Sequence, residues 1–335
     1  MAGDFDKAEL VRRLLSELGI TLSDLSARAV PTVAEYMPQV RAAASNWQLK
    51  AYQAHWRRAE VNLADRRLNQ VTVTDVLILQ QQGAREAKLR SNTRGGRYAG
   101  ESAVRAMRTF FRMAIADGLL PRGWNPAWEV KVPRRLPSTR RALRSKELLA
   151  INHVVVTTGR DVPLDSLLLR LHSETACRRS GALSLRLADL DTESCAVRLR
   201  EKFGTERWQP ISPTMVASLL EHAQSRGVRH PGDQLLRNAN GTPLTRRRYD
   251  LMWKRVQARL PWAAKLGVSA HWMRHTTLTW VERHYSYAVA RAYAGHTDTK
   301  GGSTLTYIKG MPQEVARALS AYTGEPHPLA ELGRL

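Results

Sequence analysis

Cysteine is nearly absent from this chain: Cys177 and Cys195 are the only two in 335 residues. Two cysteines cannot staple a protein of this length, which argues against a secreted, disulfide-built scaffold. Long apolar runs are missing too, and none approaches the roughly 20 residues that a membrane-crossing helix needs. Residues near the start do not follow the basic, apolar, small-residue order of a secretory leader, so a soluble intracellular protein is expected. No Walker-type phosphate loop, clustered metal ligands, internal repeat or low-complexity block is present, so no cofactor and no metal are expected. Acid is scarce relative to base.

The chain carries 30 Asp plus Glu against 52 Lys plus Arg, a formal net charge of +22 spread along its length. Such a surplus suits a polyanion. Nucleic acid is the commonest one, because each neutralised phosphate releases a condensed counterion and adds affinity without regard to sequence. Ribosome association, a heparin-like ligand and plain solubility are the competing explanations of the same charge.

A chain of this length is comfortable as two domains. Leu10, Leu14 and Leu18 share a face over Lys7 to Gly19 and predict a short amphipathic helix. Four more helices are predicted at Val33 to Ala43, Trp47 to Leu68, Thr74 to Gln82 and Glu101 to Asp117, the last from Val104, Met107, Phe111 and Ile115 at helical spacing. Between the last two, "RSNTRGGRYAG" from Arg90 is too polar for a core; its Arg94 and Arg97 suit phosphate contact or a solvated loop. Prolines at 121, 126, 133 and 137 among many arginines, Arg140 and Arg141 included, break every period and predict a basic linker over 121–144.

Beyond the linker the pattern is mixed. Helices are predicted at Ser145 to Thr157, Leu164 to Ala176, Pro213 to Ser225 and Thr245 to Leu260, with strands Ala196 to Arg200 and Arg207 to Ile211 paired around Gly204. The expected fold class is mainly α with a small antiparallel β-sheet in the C-terminal domain. Its divisions are a helical extension at 1–30, a helical domain at 31–120, the linker, a mixed α+β domain at 145–323 and a tail at 324–335.

Five short segments then occur in order: "TACRRSGALSLRLADLD" from Thr175, "EKFGTERWQPI" from Glu201, "HWMRH" from His271, "AGH" ending at His296, and "STLTYI" around Tyr307. The ordered set resembles the tyrosine recombinases of the phage integrase family, whose signature is Arg, Lys, His-x-x-Arg, His or Trp, then Tyr. The resemblance covers most of 145–323 and, more loosely, 32–140, which look like the family's SAM-like core-binding domain. It places the catalytic residues at Arg178, Lys202, His271, Arg274 and His296, with Tyr307 as nucleophile. Thr205 and Arg207 lie in the hairpin that carries the lysine and are expected at DNA. The chain departs from the family's pattern at Ala176 and Cys177, where Gly-Leu is usual, and at Gly181, where an acidic residue is usual. The stretch from His296 to Tyr307 is also about two residues longer than in compact relatives. Tyr285, Tyr287 and Tyr293 precede His296, where the family does not place its nucleophile.

Those residue types suit the chemistry without the family. Two guanidiniums hold the charge that develops on a phosphodiester's nonbridging oxygens. A lysine can protonate the leaving 5′ oxygen, and a neutral imidazole can accept the tyrosine proton. The phosphotyrosyl ester stores the bond energy, so religation requires neither ATP nor metal. In "TRRRYDLMWKRV" from Thr245, the arginines Arg246, Arg247 and Arg248 oppose the helix dipole, so DNA contact explains them better than local stability; a solvated basic face is the alternative.

The resemblance further implies a two-domain DNA clamp acting on double-stranded core sites. The active unit would be a homotetramer passing through a Holliday junction, with a monomer or dimer off DNA and a cytoplasmic, nucleoid-associated location without membrane contact. Val315 and Leu319 over Pro312 to Tyr322 could dock on a neighbouring protomer or close their own domain. Integration or excision of a mobile element is expected over chromosome-dimer resolution, and simple core sites over arm sites. Two rival functions share these features: a recombinase-fold DNA-binding protein without catalysis, and a type IB topoisomerase-like enzyme.

Overall fold

Helix starts in the N-terminal half are written in its short polar side chains. Thr32, Ser45 and Thr72 each accept a backbone N–H three residues on, while Glu35, Gln48 and Asp75 reach back to the cap's own N–H. These reciprocal pairs open α1 (Val33–Ala43), α2 (Asn46–Leu63) and α3 (Val73–Arg85). The computed structural model describes residues 13–17, 30–87, 96–132, 140–201, 204, 206–296 and 311–331. It divides into two units, Met1–Leu136 and Pro137–Leu335.

In the first unit α4 (Arg97–Ala116) follows Gly96, whose φ of 83° is left-handed. A Cβ there would stand 1.9 Å from the Ala84 carbonyl oxygen, so glycine is required for α4 to start this close to α3. Val104, Met107, Phe110 and Phe111 share one core with Val33, Tyr36, Met37 and Trp56. Two of its polar aromatics are satisfied within the fold: the Trp56 indole donates to the Ala106 carbonyl at 3.1 Å and the Tyr36 hydroxyl to Asp117. The chain stays on this core past Pro121. Pro126 opens a short helical turn, α5 (Pro126–Glu129), a position where its missing N–H costs nothing, and Ala127 and Val130 are buried. Arg108 holds the turn by donating to the Ala127 and Val130 carbonyls at 2.9 and 3.1 Å. Residues 13–17 are helical; the rest of the amphipathic segment, and Arg94, lie outside the described residues.

The second unit contains α6 (Ser145–Thr157), α7 (Val162–Thr175) and α8 (Arg179–Ser184), then a sheet of β1 (Leu190–Asp191), β2 (Ala196–Arg200) and β3 (Glu206–Pro210). The strands run antiparallel in the order β1-β2-β3, with Leu199 opposite Arg207. Helices α9 (Pro213–Ser225), α10 (Arg246–Arg259), α11 (Pro261–Leu266), α12 (Ala270–His284), α13 (Tyr287–Ala294), α14 (Pro312–Thr323) and α15 (Pro328–Glu331) complete it. The fold is therefore mainly α, with its small antiparallel sheet in the C-terminal unit. Leu164, Leu168 and Leu171 of α7 meet Val197 and Leu199 of β2 and Tyr249 and Met252 of α10 in the main core. A second cluster joins Ala176 at the end of α7 to Val281, Tyr293, Val315 and Leu319, so the apolar face of α14 closes its own unit. No helix among the described residues is long and apolar enough to cross a membrane.

One buried group in this unit ties stability to pH. His172 is fully buried between the Cys177 carbonyl, 3.1 Å from Nδ1, and the Tyr249 hydroxyl, 3.0 Å from Nε2. A carbonyl only accepts, so Nδ1 carries the proton and Nε2 accepts from Tyr249. Burial pushes its pKa down from 6.5 to about 4. The unfolded chain thus takes up this proton first as pH falls. Stability is complete above about 6.5 and declines between there and about 4, by about 3 kcal/mol for this group. Urea denaturation of His172→Gln should show a shallower loss between pH 6.5 and 4 than the wild type; equal slopes would exclude His172 as a source.

Candidate active site

The site is built around the short connection between α7 and α8. Ala176 caps α7 in the left-handed region, at φ 48°, a conformation that costs a non-glycine residue of order 1 kcal/mol. This is the physical reason a glycine suits that position. Arg274, one turn along α12 from His271, reaches it: Nη1 donates to the Ala176 carbonyl and Nη2 to the Ala294 carbonyl, the latter at 2.7 Å. A guanidinium 4% exposed thereby joins the end of α7 to the end of α13. Burial, then Arg178 and Arg207, lower its pKa to about 10, so it remains cationic at neutral pH. Two of its five donors are used here, which leaves three for a substrate.

Arg178 is the N-cap of α8, and Glu201, directly after β2, binds both its backbone N–H and its guanidinium. Arg207 enters from β3. Its Nη1 donates to Gln209 and its Nη2 to the Thr175 carbonyl at 3.4 Å, while its buried Nε has no partner. Burial lowers its pKa. The Arg207 side chain lies against Gly295, where a Cβ would meet its Cδ and Nε at 2.4 Å. Gly295 also takes φ 64° to end α13, and its N–H and that of His296 close the turn on Ala292 and Arg291 at 2.9 and 3.1 Å. The glycine before His296 is thus demanded by the turn and by Arg207 together.

Both histidines are exposed at the rim. Partial desolvation, then Arg140, Arg274, His275 and Arg178, bring the His271 pKa down to about 4. Desolvation and then Arg274 and Arg178 lower that of His296. At neutral pH His271 is therefore uncharged, with a lone pair to accept a proton. Arg178 and Arg274 lie within electrostatic reach of both histidines, Arg207 within reach of Arg274 and His296, and Glu201 is the carboxylate that acts on Arg274, Arg207 and His172 alike. Partly unpaired, fixed cations in a desolvated wall make an anion site with the bidentate donors that a phosphate fits.

Lys202, Thr205 and Tyr307 lie outside the described residues. Arg97 is exposed at the start of α4, in the first unit. Arg140 is half-buried and acts on His271, whereas exposed Arg141 forks onto Glu147 at 2.6 and 2.7 Å, at the start of α6. Arg246 and Arg247 are exposed in the first turn of α10. Arg248 turns the other way: its guanidinium lies 2.6 Å from fully buried Asp165, which Arg255 also pairs. A buried carboxylate needs such partners, so Arg248 belongs to the wall of the core rather than to the basic face expected of it. Sequence reasoning also missed Glu201; the signal was Gly181, which leaves Arg178 without an acidic residue nearby in sequence.

The model of the phage integrase family matches residues 141–311, half of the chain and all the described residues of this site. The chain belongs to the phage integrase family of tyrosine recombinases. Among its relatives, the tyrosine recombinase XerC of Chlamydia trachomatis serovar L2 is 27% identical over 210 residues, covering 61% of this chain and 64% of XerC. The chain thus spans less than two thirds of that relative. The tyrosine recombinase XerD of Mycobacterium leprae is 29% identical over 244 residues, 68% of this chain and 73% of XerD. In fold, this integrase-family chain resembles a lambda integrase tetramer bound to a Holliday junction, with TM-score 0.61, 15% identity and coverage of 90% and 91% of the two chains. The Tn1549 transposon integrase in complex with transposon right end DNA matches at TM-score 0.64 and 17% identity, over 88% of this chain and 100% of the other.

Proposed function

We propose that this chain is a site-specific DNA recombinase that cuts and rejoins duplex DNA through a 3′-phosphotyrosyl bond to Tyr307. The observation that carries the reading is the grouping of four residues spread over more than a hundred positions: Arg274, bonded to the carbonyls that end α7 and α13, lies with Arg178 within electrostatic reach of both His271 and His296. Arg178 and Arg274 hold the nonbridging oxygens of the scissile phosphate, with Arg207 adding charge behind them. His271 takes the phenolic proton as the Tyr307 oxygen attacks phosphorus. The bond from phosphorus to the 5′ oxygen breaks, and Lys202 protonates that oxygen. His296 donates a hydrogen bond to the phosphate. Attack by a 5′ hydroxyl on the ester then reverses each step, so the bond count is preserved without ATP or metal.

The 31–120 domain and the 145–323 domain would hold core-site DNA, and strand exchange would proceed in a homotetramer through a Holliday junction. The protein would be a monomer or dimer off DNA. A mobile element is the proposed setting, in keeping with the transposon and phage integrases whose fold it shares. Incubation with labelled, nicked DNA followed by denaturing electrophoresis tests the reading. Adducts together with recombinant joints from paired sites are expected. Relaxation of supercoils without joints would favour a type IB topoisomerase, and tight binding without adducts a non-catalytic DNA-binding protein.

The arginines of α10 divide in the same framework. Arg246→Ala and Arg247→Ala should leave stability unchanged and each reduce the salt dependence of DNA affinity by about one counterion. Arg248→Ala should instead cost about 3 kcal/mol of stability, by uncovering Asp165. Salt titrations and urea melts of the three variants check this division, and Arg248→Ala melting like the wild type would contradict it.

A further inference from the structure

The N–H of an N-cap residue is commonly satisfied by a Glu or Gln side chain three positions into the helix. Arg178 is the N-cap of α8, and the third position is Gly181, which has no side chain to offer. The acceptor comes from Glu201, directly after β2. Its Oε1 accepts the Arg178 backbone N–H at 2.5 Å and its Oε2 accepts from the Arg178 guanidinium. The carboxylate is wholly buried, while the Arg178 side chain is one third exposed.

Glu201 and a side chain at position 181 compete for one space. A Cβ on Gly181 would lie 3.2 Å from Glu201 Cγ and 3.3 Å from its Oε1. The next neighbour is the Arg200 carbonyl oxygen at 3.7 Å, an ordinary contact. The backbone of Gly181 does not itself require glycine, since its φ is not positive.

We propose that Glu201 is the positioning residue of Arg178, and that Gly181 and Glu201 form one exchangeable unit in which the carboxylate can come from the residue after the strand or from the helix. This rests on the reading of Arg178 as a holder of the scissile phosphate. By fixing both the peptide and the guanidinium, Glu201 sets the direction of Arg178 before DNA arrives. Glu201 also immediately precedes Lys202 in the chain.

The test compares the full-length wild type, Glu201→Ala, Glu201→Gln, Gly181→Glu and the double variant Gly181→Glu/Glu201→Ala in single-turnover adduct formation on saturating nicked DNA. Glu201→Ala should slow the covalent step ~100-fold, the scale of a reacting group displaced by about 1 Å, with a much smaller change in DNA affinity. Gly181→Glu alone should also be slow, because it crowds Glu201 with a second negative charge. The double variant should recover at least ~10-fold over either single change. A folded Glu201→Gln protein at the wild-type rate, or a folded double variant no faster than the singles, overturns the proposal. Hydrogen exchange at the Arg178 amide reports the clamp without any cleavage. Protection lost in Glu201→Ala and regained in the double variant supports the exchange even if the wild type makes no adduct, a result that would instead overturn the recombinase reading. Unchanged protection in Glu201→Ala overturns the clamp itself.

Discussion

Arg274→Ala is expected to lose at least ~10³-fold in the rate of strand cleavage, beyond the loss from one ordinary phosphate contact. Two effects combine. The donors that would meet the phosphate are removed, and the Ala176 and Ala294 carbonyls, both buried, lose their partner. Each orphaned carbonyl costs about 1–3 kcal/mol, so the variant should also melt early. Arg274→Lys separates the two effects: an ammonium can satisfy one carbonyl but cannot fork across both and still face a phosphate. It should keep more of the stability than alanine and recover little of the rate. Single-turnover cleavage measured beside urea denaturation gives both quantities. Cleavage by Arg274→Ala within ~10-fold of the wild type would remove Arg274 from the chemistry.

Tyr307→Phe is expected to abolish the covalent adduct, a loss on the order of 10⁴-fold or more, while leaving DNA affinity at the wild-type level. The change deletes one oxygen and keeps the ring, so folding gives no alternative explanation. The other tyrosines of this region serve as controls. Tyr293 is fully buried, with its hydroxyl on the Glu174 carbonyl, and the Tyr285 hydroxyl donates to the Arg317 carbonyl at 2.9 Å. Both are committed to the fold. Tyr287 is exposed on α13, and Tyr287→Phe should form adducts at the wild-type rate. Quantified adduct bands from the two variants decide between the two positions.

What could be read from the residues alone depended on whether the physics was local. Helices Val33–Ala43, Ser145–Thr157 and Pro213–Ser225 begin and end where the apolar spacing placed them, because a capping Thr or Ser, or Glu147 accepting the N-cap N–H, marks the start and one apolar face is buried. Helix α12, which carries His271 and Arg274, was not anticipated as a helix. Its buried face is wide and partly polar, with Arg274, Thr276 and Thr277 beside Trp272 and Met273, so no apolar period stands out. The order of Arg, His-x-x-Arg and His was legible, since phosphate chemistry restricts residue type. Their supports were not: the Ala176 and Ala294 carbonyls and the Glu201 carboxylate come from distant elements, 23 residues from Arg178 in the last case. Arg248 shows the same limit. Its type matches that of Arg246 and Arg247, and only the position of buried Asp165 turns it inward.

The most direct test is to trap the wild-type protein on nicked DNA, digest the adduct with trypsin and map the modified peptide by mass spectrometry. A 3′-phosphate ester on the oxygen of Tyr307 is the predicted result. A linkage through any other side chain, or protein that binds the DNA and yields no linked peptide, would contradict it.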